Sequence, residues 1–199
     1  MTREYKAGFF FCGSGPGAYG FLQAHVTLAG QSARFVSAGG IDFDPLACAD
    51  FETLTKSPAL CCDIRECTPS MLRALMGDRA PDVVFGSPPC QGYSRLISSA
   101  VSATPKYQEL NRLVLVWIEL VLATWAEPPA MLLLENVEGI AHRGAGLHNV
   151  APLLLDVLEA AESVSGEAPL LGPHNMLCVV DPKKIAALRT ALEAFHAAR

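Results

Sequence analysis

The chain has 199 residues, 51% of them hydrophobic and 18% charged, with 16 glycines and 14 prolines. This composition suits one soluble α/β domain with a substantial core. The formal net charge is −5, from 15 basic and 20 acidic side chains, which argues against a chain that holds a polyanion by bulk charge alone.

No apolar run reaches the length of a membrane span; the nearest, Leu113 to Ala126, is interrupted by Glu119 and reads as a core helix. The opening MTREYKAGFFFCG lacks a small-residue cleavage pattern, so a secretory leader is not expected. Seven cysteines, at positions 12, 48, 61, 62, 67, 90 and 178, form no CxxC pair and have no His at metal spacing. Their odd number and irregular spacing fit a reducing, cytosolic compartment with thiols acting as small hydrophobes and no metal site.

The first predicted strand, Phe9 to Cys12, runs into Gly13-Ser14-Gly15-Pro16-Gly17-Ala18-Tyr19-Gly20. Strand, glycine turn and helix are expected, with the helix from about Ala18 to Ala29. Such a turn lets backbone amides approach an anionic or polar ligand at the positive end of a helix, although an ordinary turn is equally compatible. A second strand covers Arg34 to Asp42. Asp42 stands at its tip, where an acid can accept hydrogen bonds from ribose hydroxyls, and the sequence shows no other local duty for it. Asp44, directly before Pro45, is placed to cap the next helix. Leu60 to Ile64 is a third short strand with Asp63 near its end, and Thr68-Pro69 opens a brief helix through Leu75.

The fourth strand, Asp82 to Phe85, leads into Gly86-Ser87-Pro88-Pro89-Cys90-Gln91-Gly92. Two prolines fix φ and remove donors, so the chain leaves the sheet as a stiff extended loop. A thiol on such a loop, at the carboxyl end of a strand, sits where open α/β sheets place reactive groups. Arg95 to Gln108 has no apolar period and is predicted as a mobile loop, followed by a helix from about Glu109 to Ala126. Ala130 to Leu134 is a continuously apolar fifth strand ending in Glu135-Asn136-Val137. Beyond it a helix to Glu162, a loop over Ser163 to Asn175, a strand over Met176 to Val180 and a last helix after Asp181-Pro182 are expected.

Over roughly residues 8 to 140 this order resembles the catalytic core of the DNA cytosine C5 methyltransferases. Phe11, Gly13, Gly15 and Gly20 match the opening signature, Pro89-Cys90-Gln91 the catalytic motif, and Glu135-Asn136-Val137 the second catalytic motif. The resemblance implies a Rossmann-like α/β fold, its mostly parallel sheet flanked by helices, forming a single truncated domain over 1–199. It implies S-adenosylmethionine as cofactor, bound through Phe11, Gly13, Gly15, Gly17, Asp42, Phe43, Asp63, Ile64 and Pro88. It implies Cys90 as covalent nucleophile and Glu135 as the group that holds the base, with Ser87, Pro88, Pro89, Gln91 and Asn136 supporting the loop. The thiol and the carboxyl should then project into one pocket beside the glycine turn.

The sequence also departs from that family. Pro16 replaces one of a pair of glycines, the stretch from Gly20 to Asp42 is long, and no Gln-x-Arg-x-Arg motif or target-recognition domain is found. Double-stranded DNA is the implied partner. The chain then reads as a truncated piece of a longer enzyme, as one subunit of a split enzyme whose second polypeptide supplies the missing motif and domain, or as a degenerate remnant. A non-catalytic regulatory subunit on the same fold is the alternative. An unrelated thiol enzyme would need a basic partner for Cys90 that has no obvious position here.

Overall fold

A computed structural model describes residues 2–94 and 96–137, the strand residues 170–171 and 176–179, and residue 190. In chain order, β1 (Thr2–Phe10) is followed by α1 (Pro16–Gln23), β2 (His25–Leu28), β3 (Gln31–Asp42), α2 (Pro45–Thr55) and β4 (Ala59–Cys61). Next come α3 (Pro69–Met76), β5 (Val83–Gly86), α4 (Ser99–Ser102), α5 (Pro105–Thr124), β6 (Met131–Glu135), β7 (Leu170–Leu171) and β8 (Met176–Val179).

These strands form one sheet. β3, β1, β5 and β6 lie side by side and parallel, β8 runs antiparallel to β6, and β7 antiparallel to β8. The outer edge of β3 is shared: β2 pairs antiparallel with its start, and β4 parallel with its end. The chain winds outward from β1 in both directions, so the strand order reverses between β1 and β5, where doubly wound sheets open a crevice.

Neighbouring apolar residues on the central strands point to opposite faces, as the two-residue period requires. Phe10, Val84, Leu132 and Leu134 face α3 and α5 and pack with Leu72, Met76, Trp117 and Val121. Phe9, Val83 and Leu133 face the other way, toward Ala18 of α1 and Phe51 of α2. The Pro-initiated helices start as expected: the Asp44 carboxylate accepts from the amides of Leu46 and Ala47, and the Thr68 hydroxyl from that of Met71.

Three expectations are corrected. The first helix ends at Gln23 rather than near Ala29, because His25 to Leu28 forms an edge strand with two β-branched residues. A two-residue turn, Ala29 at φ 50° and Gly30 at φ 77°, closes it onto β3; positive φ at both positions is the turn whose twist matches a hairpin. Within Arg95 to Gln108, α4 and the first turn of α5 are folded, with Ser98 capping α4 through the amide of Val101. Leu170 and Leu171, expected in a loop, add a strand to β8. The predicted strand at Met176 is present as β8, whereas the helices expected on either side of it lie outside the described residues except for Thr190, which is helical.

Gly86 shows how closely the layers approach. A Cβ there would sit 2.6 Å from the Trp117 ring, which lies wholly buried beneath the end of β5. Gly86→Ala should lower the unfolding free energy by about 1–3 kcal/mol, the usual cost of overpacking a filled core. Urea denaturation measures this, and an unchanged midpoint would show that α5 does not press on the strand.

Candidate functional site

At the carboxyl ends of β1, β5 and β6 the sheet opens a cleft of about 420 Å³, within the size range of small-ligand sites. Its walls come from the glycine turn after β1 and the start of α1, with Phe85, Ser87 and Glu135 opposite. A larger hollow of about 590 Å³ lies at the other end of the sheet, between Asp78–Asp82 and Trp125–Ala130. Ligands of open parallel sheets bind outside the strands' carboxyl ends, so the smaller cleft is the candidate site.

The turn is shaped by left-handed backbone at Phe11, Gly13 and Gly15, with φ of 52°, 51° and 94°. A Cβ on Gly13 would meet nothing within 4 Å, so this residue faces open space. Gly15 is buried against Phe51, where a Cβ would sit 3.1 Å from the ring. Gly15 therefore serves the close approach of α1 to α2. Pro16 occupies the first helical turn, where its missing N–H costs nothing. Gly17 lines the cleft and lets α1 approach the Phe85 ring, 3.3 Å from where a Cβ would be.

Asp42 has a local duty that the sequence did not show. One carboxylate oxygen accepts from the Gly13 amide at 2.8 Å and the other from the Asp44 amide at 3.1 Å. The acid thus ties the glycine turn to the tip of β3, and among the described residues these two amides use only part of its acceptor capacity. Phe43, next in the chain, is 73% exposed, an aromatic face open to a planar ligand. Asp63 is half-buried and ion-paired with Arg65, whose hydrogen bonds hold its carboxyl below the usual carboxylate range. Ile64 is 6% exposed and packs into the core, so its side chain is not available to a ligand.

Across the cleft, Gly86 pairs with Leu134, so the residues that follow them emerge side by side. The Ser87 hydroxyl donates to Glu135 Oε2 at 2.7 Å. Asn136, buried, donates from Nδ2 to the Pro88 carbonyl at 3.0 Å and accepts the Val137 amide at 2.9 Å. Pro88 is buried, Pro89 and Cys90 are half-buried, and Gln91 is exposed. The Ser87 amide donates to the Phe10 carbonyl at 3.2 Å, which joins this loop to β1. Phe11, Gly13, Gly17, Ser87 and Glu135 therefore share one cleft, and Pro88 and Asn136 are bonded directly behind it. Cys90 stands on the same loop three residues beyond Ser87 but is not among the residues lining the cleft.

Sequence reasoning missed Cys12 and Phe85, which also line the cleft. Burial, and secondarily the Asp42 charge, pushes the Cys12 thiol up to about 12. The Cys48 thiol, behind Asp42 and beside Cys61, is pushed up to about 11 by burial first and then by that neighbour. These two are structural thiols. Among the described residues no group of three His, Cys, Asp or Glu side chains is placed to hold a metal ion. None of their helices is long and apolar enough to cross a membrane.

Residues 6–161 match the family model of the C-5 cytosine-specific DNA methylases. The chain belongs to this family. It is 30% identical over 166 residues to the type II methyltransferase M.XorII of Xanthomonas oryzae pv. oryzae, covering 82% of this chain and 34% of that protein. The fold is similar to S. pombe Dnmt2 methyltransferase (TM-score 0.52, 15% identity, 80% of this chain and 41% of that one). It is also similar to the Entamoeba histolytica methyltransferase EhMeth (TM-score 0.54, 18% identity, 79% and 45%). The chain thus spans about a third of the curated relative's length. Its Rossmann-like methyltransferase fold implies S-adenosylmethionine as cofactor.

Asp42→Ala should cost about 1–3 kcal/mol of stability, because the Gly13 and Asp44 amides lose their acceptor. Equilibrium unfolding in urea measures it. The raised Cys12 thiol also predicts a pH dependence. Below its ordinary value of 9.0 the thiol is protonated folded or unfolded, and stability is at its full value. As pH rises toward about 12 only the unfolded chain releases this proton, so stability falls. Cys12→Ala should flatten that alkaline decline, and an identical slope in both proteins would remove Cys12 as its source.

Proposed function

We propose that this chain is the catalytic core for methyl transfer from S-adenosylmethionine to C5 of cytosine in double-stranded DNA, through a covalent adduct at Cys90. The observation that carries the reading is the Ser87–Glu135 hydrogen bond. It sets the loop bearing the thiol and the acid ending β6 at one edge of a cleft whose other edge is the glycine turn.

The cleft fits a nucleoside cofactor. Gly13 faces open space within it, and outside its lining Asp42 accepts from only two amides and Phe43 offers an exposed ring. In this reading Phe11, Gly13, Gly15, Gly17, Asp42 and Phe43 form the cofactor side. Pro88, Asp63 and the main chain at Ile64 are assigned to the same cofactor in this reading, although they are not among the residues lining the cleft. When bound, S-adenosylmethionine supplies an electrophilic methyl group on a sulfonium centre.

Cytosine C5 is too weak a nucleophile to accept that group directly. The Cys90 sulfur adds at C6, and the electron pair of the C5–C6 double bond moves to make C5 enamine-like. Glu135 holds the N3 and exocyclic amino edge and stabilises the ring as charge shifts onto it. Once C5 carries the methyl group, loss of its proton to a base restores the double bond and breaks the C6–sulfur bond. A duplex base is out of reach of this loop, so the cytosine must be turned out of the stack. Asn136 fixes the loop through Pro88 while Ser87 orients Glu135; Pro89 stiffens the loop, and Gln91, which is exposed, is assigned to the nucleotide in this reading.

We assign the DNA-reading part, including a Gln-x-Arg-x-Arg motif and a recognition domain, to further cationic sequence, whether in a second polypeptide or in a longer chain; the net charge of −5 supports this. A regulatory, non-catalytic subunit is the second reading, favoured by the Pro16 substitution in the cofactor turn.

The test is trapping on DNA containing 5-fluorocytosine with S-adenosylmethionine, with and without a candidate partner polypeptide. A covalent adduct that disappears in Cys90→Ser is expected, and no adduct under any partner condition would favour the regulatory reading. Glu135→Gln should slow methyl transfer by on the order of a hundredfold or more, as removal of a transition-state stabiliser does. Single-turnover transfer of labelled methyl measures it, and a rate within a few-fold of wild type would take Glu135 out of the chemistry.

A further inference from the structure

The loop that carries Cys90 is held from two sides. Upstream, Asn136 grips Pro88. Downstream, Cys90 begins a turn closed by the Tyr93 amide on the Cys90 carbonyl at 3.0 Å, and the far half of that turn is sunk into α4 and α5. The Ser102 hydroxyl donates to the Gly92 carbonyl at 2.6 Å, and the Gln108 side chain in turn donates to the Ser102 carbonyl at 2.8 Å. Tyr93, with no exposed surface, donates its hydroxyl to the Asn111 carbonyl at 3.3 Å. The Asn111 carboxamide lies against the α-carbon of Gly92, where a Cβ would fall 2.7 Å from its Cγ.

Ser102, Gln108 and Asn111 are 6%, 6% and 2% exposed, and burying three polar side chains at one spot costs stability unless they bond. Among the described residues, the Asn111 Oδ1 and Gln108 Oε1 oxygens have no hydrogen-bond partner. Apolar residues would pack α5 at less cost, so fold stability does not account for this cluster. Its bonds and contacts converge instead on the two residues that close the Cys90 turn.

We propose that Asn111, acting with Ser102, is a positioning residue for the Cys90 thiol: it seats Gly92 and thereby sets the orientation of the turn on which the sulfur stands. The proposal rests on the reading of Cys90 as nucleophile for its purpose, while its geometry does not require methyl transfer to occur. Gly92 is the matching part, because only a residue without Cβ comes this close to the Asn111 side chain.

Site-resolved alkylation of the folded chain by iodoacetamide, read by mass spectrometry, tests it. Buried Cys48 and Cys67 report unfolding, and exposed Cys61 reports intrinsic reagent reactivity. In Asn111→Ala the Cys90 rate should rise on the order of tenfold, a small displacement having effects of this size or larger. Cys61 should keep its rate, and Cys48 and Cys67 should stay protected. A Cys90 rate within about twofold of wild type, a margin well inside the expected effect, overturns the proposal. If Asn111→Ala exposes Cys48 and Cys67, Ser102→Ala decides by the same readout, since it removes only the hydroxyl on the Gly92 carbonyl. Parallel trapping on 5-fluorocytosine DNA separates the two ideas. No wild-type adduct, with Cys90 labelling still dependent on Asn111, defeats the methyl-transfer reading and supports the positioning role. Wild-type trapping, with labelling and trapping unchanged in Asn111→Ala, does the reverse.

Discussion

Parallel pairing of β5 with β6, in the register that sets Gly86 against Leu134, is the constraint on which the site depends. Both strands bury both faces, Val84 and Leu132 on one side and Val83 and Leu133 on the other. A slip of one residue would exchange those faces and break two cores at once. With the register so held, Ser87 and Glu135 leave the sheet as neighbours and their hydrogen bond follows. The next residues repeat the relation one step on, where Asn136 reaches Pro88. The stiff proline loop is thus referenced to the sheet by two successive bonds of the same pair of strands.

The second half of the cleft is joined to the first through the backbone. The Ser87 amide bonds the carbonyl of Phe10, the residue before the glycine turn. That turn is in turn bonded to β3 by Asp42 through Gly13. A displacement of the thiol loop therefore cannot leave the glycine turn unaffected, because β1 stands between β3 and β5 and is bonded to both. A cofactor and a substrate that meet between these strands have their separation set by the spacing of adjacent sheet strands rather than by flexible side chains.

The parts of this arrangement that could be read from the sequence are those governed by local rules. Asp44-Pro45 and Thr68-Pro69 announce helix starts through capping chemistry, and both caps are present. The apolar runs before Gly86 and Glu135 announce buried strands. What escaped notice depends on partners distant in sequence. The structural bond of Asp42 is not legible in the sequence because its donor, Gly13, lies 29 residues away. Ser102, Gln108 and Asn111 carry no local signal in the sequence, because their links to Gly92 and Tyr93 arise only once α4 and α5 are folded. The β2 strand was hidden for another reason: four residues are too few to separate a helical from an alternating pattern. The decisive signal there was Gly30, in a turn too short for anything but a hairpin.

Charge sets the division of labour in the proposed reaction. The carboxylates of Asp42, Asp44, Asp63 and Glu135 all stand at or near the carboxyl ends of the strands, where a phosphate backbone would have to approach. Among the described residues, Arg65 stands beside Asp63 and is ion-paired with it, so that pair adds no net positive charge. Arg34 is likewise paired with Glu4. Exposed pairs of this kind are weak, about 0–1 kcal/mol, so they could exchange partners, but exchange does not change the sum of charges. A net charge of −5 then opposes long-range capture of a polyanion, and binding through phosphates must be supplied by other cationic sequence. On this view, salt dependence of DNA retention would report on the basic partner sequence, whereas the chemistry at Cys90 and Glu135 would depend on the sheet that holds them together.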